Sequence, residues 1–486
     1  MAIHQRLLRG ILVGAVLAVA AVVQAAGADV VQTANELRSQ FVADLDELAA
    51  WCESNGLAEQ AKKTRGVLSP TSPCKLYVPV LPVEVGPPKP SAGASAKEAE
   101  WSAKFAKLRH DQAAALFDLA RRAVRSSKFG LAFDLAMASL LADPDFEPVR
   151  RLFGYQKFRN QWRTLYEVKK LRTGFVWSDR FGWLPKANLH RYEQGRRFSD
   201  GRWSSAEEDA RRHATIQSGW DIETEHYTIR TDHSIEAGVA LGVKLERLNG
   251  LWRQIFVRYY ASQADVAALF EGRAKMSAAE HRHKIVYFRD RDDYNRTLQP
   301  TMPQAKMTLG VYVDHSRQAY FFPDKDGDRT LYHEATHQLF HESRPVASGV
   351  GRSANFWIVE GIAMFMETLR QEDGYYVLGG FEDERLLAAR YRLLHDRFYV
   401  PFDEFMGYGI KRFQSDPRVG RLYSQSAGMA QFLVFADGGR YRDALVSYLV
   451  TVYNGHGNHD TLADLTGTSY GDLDKEYRAF IEREGK

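Results

Sequence analysis

Residues 331–341 read Leu-Tyr-His-Glu-Ala-Thr-His-Gln-Leu-Phe-His, and no other stretch of the chain restricts its fold and chemistry as tightly. His333 and His337 are four apart, which on a helix puts them one turn apart on one face. Both imidazoles can then reach one cation at the roughly 2.0–2.1 Å that zinc–nitrogen bonds require. Glu334 points to a neighbouring part of the same surface, where it can serve as a general base without binding the metal itself. The surroundings read as a helix. Asp328 or Thr330 supplies an N-cap after a Pro-Asp-Lys-Asp-Gly turn, and Leu331, Ala335, Leu339 and Phe340 give an apolar side. His341 lies eight residues beyond His333, about 12 Å along the axis, too far to share the ion. It is expected to be an exposed or capping residue.

A third protein ligand is needed. The chain holds only two cysteines, Cys52 and Cys74, so a cysteine-based zinc site is excluded and the ligands must be histidines and carboxylates. Glu360 lies in Asn-Phe-Trp-Ile-Val-Glu-Gly-Ile-Ala-Met-Phe-Met. Trp357, Ile358, Ile362 and Phe365 make that segment a second apolar helix, able to pack against the first. A carboxylate directed inward from such a helix is costly unless it is paired or bound to a metal.

His-Glu-Ala-Thr-His followed by Trp-Ile-Val-Glu-Gly-Ile-Ala resembles the gluzincin branch of zinc metallopeptidases, the thermolysin-like clan. The stretch from about Trp220 onward resembles exported bacterial proteins of unknown function that carry this peptidase-like domain. The likeness covers a little over half the chain; it is specific at the motif and loose elsewhere. It implies one Zn2+ per chain held by His333, His337 and Glu360, with Glu334 as the base that activates the attacking water. It also implies an oxyanion donor some sixty residues past the third ligand, a place taken here by Tyr423. Such enzymes often carry an Asp four residues after the third ligand to orient a histidine. Here that position is Met364, so an orienting partner must come from elsewhere, from Glu367 or a backbone carbonyl. Substrates of this clan add as a strand to an exposed sheet edge, expected in Gly310–Phe322 just before the motif helix. The function implied is that of an exported zinc-dependent metallopeptidase. The alternatives are a zinc-site scaffold without turnover and a metal-dependent amidase acting on cell-wall peptides.

The fold class expected is α+β. A zincin-like domain with a small mixed sheet and a mostly helical C-terminal half follows a helical region and a short β-rich segment. Met1 to Ala28 has Arg6 and Arg9, then an uncharged apolar run from Gly10 to Val23, then small residues, which is the pattern of a cleaved signal peptide. That predicts export to a periplasmic or extracellular space and no stable membrane insertion afterwards. In such an oxidising setting Cys52 and Cys74 are a natural pair, whose loop would stabilise by about 3 kcal/mol. Residues 29–86 read as a small helical element and 87–96 as a Pro- and small-residue-rich linker. Residues 97–166 read as a helical hairpin region of tetratricopeptide-like character with breaks near Lys128–Gly130 and Pro144. Residues 167–217 read as short strands and turns, and 218–486 as the zincin-like domain.

A formal net charge of +4, from 65 basic and 61 acidic residues, gives no case for nucleic acid, and local basic runs read as solvated faces. The partner expected is a peptide or protein substrate, with the N-terminal helical region available for a protein partner. A weak internal echo places a glutamate five residues after each of Trp162 and Trp203, at Glu167 and Glu208. Asp324–Asp328 resembles half a calcium loop but breaks its template and reads as a turn. His281, His283, His456 and His459 lack evident carboxylate partners in sequence and are expected at the surface.

Overall fold

Helical spacing of Phe41, Leu45 and Leu48 builds a helix over residues 29–54, and these side chains bury with Ala49, Cys52, Ala61, Trp101 and Phe105 in one apolar cluster. The computed structural model describes residues 29–68, 70–86, 93–274, 281–324 and 327–484. The expected signal peptide and most of the expected linker, residues 87–92, lie outside the described residues. The fold is mixed α+β with small sheets. The chain divides into two compact units, one drawn from residues 1–70, 79–162 and 261–276, the other from 71–78, 163–260 and 277–486.

In the first unit Ser95 caps a helix from Ala96 to Arg125 by accepting the Glu98 N–H, and helices Phe129–Ala142 and Glu147–Leu152 follow. The two breaks fall where the sequence places them, and the first helix runs 30 residues. Tyr155–Phe158 and Gln161–Thr164 form strands, not the end of a helical region. Arg159 and Asn160 both take positive φ, 50° and 60°, the two-residue turn that joins twisted antiparallel strands. Cys52 and Cys74 are both buried free thiols, so the expected disulfide is not formed.

The echo at Trp162 and Trp203 is part of a threefold repeat. Strand pairs Tyr155–Phe158 with Gln161–Thr164, Phe175–Ser178 with Gly182–Pro185, and Arg196–Ser199 with Arg202–Ser205 each lead into a short helix. Trp183 is the missing member. The echoed glutamates have a local cause. Thr164 and Ser205 are N-caps whose side chains accept the N–H groups of Glu167 and Glu208. Pro185 stands at the equivalent place in the middle repeat, which enters its helix through a 3-10 turn without a side-chain cap. The register of the repeats is held by aromatic contacts: Tyr166 packs edge-on against Trp183, and Tyr192 against Trp203, both with centroids 6.0 Å apart.

The second unit is built on a five-stranded mixed sheet in the order Gly310–Val313, Gln318–Phe321, His283–Tyr287, Tyr227–Thr231, Trp220–Glu223. The three middle strands run parallel and the two outer ones antiparallel to their neighbours. Helix Ile235–Ile255 lies close on this sheet because Gly238 and Gly242, one turn apart, face it. A Cβ at Gly242 would come within 2.8 Å of Thr224 Cγ2. Gly310–Val313 is the edge strand that precedes the motif helix, Arg329–Glu342; Trp220–Glu223 is the other edge. The remainder is largely helical. No described helix is long and apolar enough to cross a membrane.

The helix Phe356–Met366 is apolar all round. Every residue except Glu360 is buried, as a helix enclosed by protein requires. Gly361 lets it approach the helix Val419–Gly439, since a Cβ there would lie 2.7 Å from the Ser426 carbonyl oxygen. Backbone cannot move aside as a side-chain tip can. Gly361→Ala is therefore expected to destabilise the fold by about 1–3 kcal/mol, despite alanine's better helix propensity. The midpoint of urea unfolding checks this, and an unchanged or raised midpoint would refute the close-packing account.

Candidate metal centre

The motif helix buries Leu331, Ala335, Leu339 and Phe340 on one side and carries His333, Glu334 and His337 on the other. Asp328 stands at its N-cap position but makes no side-chain cap; its carboxylate instead accepts from Lys244 Nζ at 2.7 Å. Glu360, from the neighbouring helix, faces both histidines. His333 Nε2 is 3.1 Å from His337 Nε2 and 3.4 Å from Glu360 Oε2, and His337 Nε2 is 3.8 Å from Glu360 Oε1. A tetrahedral ion with bonds of about 2.05 Å spaces its ligand atoms about 3.3 Å apart. The two histidines approach different oxygens of Glu360, and with one ligand atom from each side chain the three lie within 4.8 Å of one another, so closing on one such ion needs a modest side-chain adjustment. Among the described residues they are the one trio of His, Cys, Asp or Glu with all ligand atoms within 4.8 Å of one another. Each side chain keeps between 13% and 16% of its surface exposed, so the cluster opens to solvent.

A buried carboxylate fixes the orientation of His333. Glu367 Oε1 lies 2.7 Å from His333 Nδ1, which aims Nε2 at the cluster when Nδ1 carries the hydrogen. The other oxygen, Oε2, accepts from Arg329 Nη2 at 3.2 Å and Arg385 Nε at 3.3 Å. Arg329 also pairs with Asp383 at 3.0 Å, and Asp383 caps the helix Glu384–Leu394 by accepting the Arg385 N–H. Of the two sources of orientation open from sequence, a backbone carbonyl or Glu367, the carboxylate is the one present. Its place had a local signal. Seven residues is two helical turns, so Glu367 follows Glu360 on the same face just past the helix end, while Met364, one turn on, is buried in the core.

The electrostatics divide the cluster. Burial opposes the charge on His333, but hydrogen bonds and charge from Glu360 and Glu367 outweigh it and hold its pKa well above the ordinary imidazole value. Burial and then the His333 charge push His337 down to about 3, so it is neutral. Burial also opposes ionisation of Glu360, yet the two histidines keep it below the ordinary carboxylate range. Glu334 is pushed up to about 7, first by burial and further by Glu360 and Glu367, against the His333 charge and the hydrogen bond from the Tyr312 N–H. At neutral pH the metal-free site therefore holds an imidazolium at His333, and a metal must displace its proton. Zinc binding at pH 7 is expected to release between about one and two protons, from His333 and in part from Glu334, and affinity to rise with pH. Calorimetry in buffers of different ionisation enthalpy measures this; a binding heat independent of the buffer would contradict the charge assignment.

Tyr423 lies in the helix Val419–Gly439 with its ring edge-on to Phe413. Burial raises its phenol above the ordinary range, and the charges of Glu360 and Glu334 add to that, so it shares the field of the cluster. His341 departs from expectation. It is neither exposed nor a cap; its ring packs against Tyr312 and Tyr453, and burial lowers its pKa. His283 is not a surface residue either. It is buried with Nδ1 2.7 Å from Glu342 Oε2, which ties its strand to the end of the motif helix. His459, exposed, pairs with Asp460 at 2.8 Å. Sequence reasoning gave no role to Arg329, Arg385, Tyr312 or the His283–Glu342 pair, because each acts across a contact that no local spacing encodes.

Comparison with protein-family models, with curated proteins and with solved structures finds no match to this chain.

Proposed function

We propose that the protein is a zinc-dependent peptidase of gluzincin type with a zincin-like second unit. The observation that carries this reading is the convergence of His333, His337 and Glu360, with one ligand atom from each within 4.8 Å of the others and Glu334 beside them, bonded to none of them. A site that served structure alone has no use for a half-buried, non-ligating carboxylate next to its ligands. Zinc, when bound there, supplies Lewis acidity for a carbonyl and a water of lowered pKa. The chain's own residues do the rest. His333 and His337 present Nε2 atoms as neutral ligands, Glu367 holds the first of them in orientation, and Glu360 contributes the carboxylate. Glu334 takes a proton from the attacking water and passes it to the leaving amine. Tyr423 would donate a hydrogen bond to the oxyanion as it forms. The edge strand Gly310–Val313 offers an extended peptide a main-chain partner beside the motif helix.

The test is metal analysis of the purified protein together with a peptide-library digest, with and without chelator. Stoichiometric zinc and chelator-sensitive cleavage are expected. Zinc without any cleavage would leave a metal-holding scaffold, and cleavage restricted to cell-wall peptides would favour the amidase reading.

A further inference from the structure

We propose that Tyr312 is a positioning residue of this site: its main-chain N–H aims the Glu334 carboxylate, while its side chain ties the same strand to the far end of the motif helix. The inference rests on the peptidase reading above and goes beyond it to the means by which the base is held.

Tyr312 lies in the edge strand, in register with Ala319 of the neighbouring strand. Its N–H donates to Glu334 Oε2 at 2.9 Å and so turns away from that neighbour, toward the open edge. An outward amide on an edge strand is ordinarily left to water. Here it holds one oxygen of a side chain that otherwise rotates about three bonds, and leaves Oε1 for the proton of the attacking water. The strand itself is fixed against the helix in two ways. At Gly310 a Cβ would meet Thr330 Cγ2 at 3.1 Å, so strand and helix already touch at the helix start. Further along, the Tyr312 ring packs on His341 with centroids 5.6 Å apart, and burial, then the charge of Glu342, raise its pKa. Glu342 is buried and held by His283 and by Gln338 Nε2 at 3.0 Å. Glu334 and His341, seven residues apart on one helix, are thus both engaged by one residue of the edge strand. A general base works only within a narrow range of placement, and a misplacement of about 1 Å can cost roughly 10²-fold.

Two variants separate the main chain from the ring. Tyr312→Ala keeps the N–H and loses the ring. Tyr312→Pro loses both, at an edge position whose N–H lies outside the ladder and which therefore tolerates proline. On a peptide substrate that the wild type cleaves, kcat of the Pro variant is expected to fall about 10–10²-fold below that of the Ala variant, with zinc content and KM alike in the two. A second arm needs no turnover and no proline. Hydrogen exchange of the Tyr312 amide is expected to quicken at least about tenfold in Glu334→Ala. Equal kcat in the Pro and Ala variants, or equal exchange in wild type and Glu334→Ala, would overturn the inference while leaving the peptidase reading in place. A wild type that holds zinc and cleaves nothing would overturn both.

Discussion

Glu334→Gln is expected to lower peptide turnover by about 10²–10⁴-fold, or about 3–5 kcal/mol in the barrier, with zinc content unchanged. Glutamine keeps the length and shape of the side chain, and its amide oxygen can still accept the Tyr312 N–H that now reaches Glu334 Oε2 at 2.9 Å. What it lacks is the capacity to take a proton. Glu334 is outside the trio of converging ligand atoms, so its replacement removes no bond to the ion. In the metal-free protein burial, and further Glu360 and Glu367, push the wild-type carboxylate up to about 7. A bound cation would favour its ionised form. Single-turnover kinetics beside metal analysis decide the matter. A Gln variant as fast as wild type would remove Glu334 from the mechanism, and one that lost its zinc would make it a ligand.

The second large effect is expected at Glu360. Replacing it with Gln or Ala removes one of three protein ligands and should weaken zinc binding by roughly 10²–10⁴-fold, read by competition against a chromophoric chelator. The fold should survive, because the surrounding helix is held by the burial of every other residue in it, from Phe356 to Met366. His333 in the variant still has Glu367 at 2.7 Å, so the metal-free site is not left with an uncompensated buried charge. Wild-type affinity in Glu360→Ala would mean that the carboxylate only balances the histidines electrostatically.

These two residues also show what can be read from a sequence. His333, Glu334 and His337 are legible because helical periodicity alone puts them together. Glu360 is legible because a lone carboxylate in Trp-Ile-Val-Glu-Gly-Ile-Ala is hard to explain without a partner. Glu367 was half-legible: two turns beyond Glu360 marks its face, but its bond to His333 spans 34 residues of sequence. His283 and Glu342 gave no signal, since a strand residue and a helix residue 59 positions apart meet only once the sheet exists. Helical geometry shows that His341 cannot share the ion, yet is silent on the two tyrosines that enclose it. The hairpin–helix repeat was seen at two of its three tryptophans. Pro185 replaces the capping hydroxyl in the middle copy, and so erased the pattern that linked the other two. The Cys52–Cys74 pairing inferred from an exported setting was an argument from compartment, and both side chains lie buried as free thiols.

The most direct measurement is diffraction from zinc-loaded crystals on either side of the zinc absorption edge. The account predicts one anomalous peak per chain, about 2.0–2.2 Å from His333 Nε2, His337 Nε2 and a Glu360 carboxylate oxygen. A peak elsewhere, or one at the histidines with the Glu360 carboxylate out of bonding range, would contradict it.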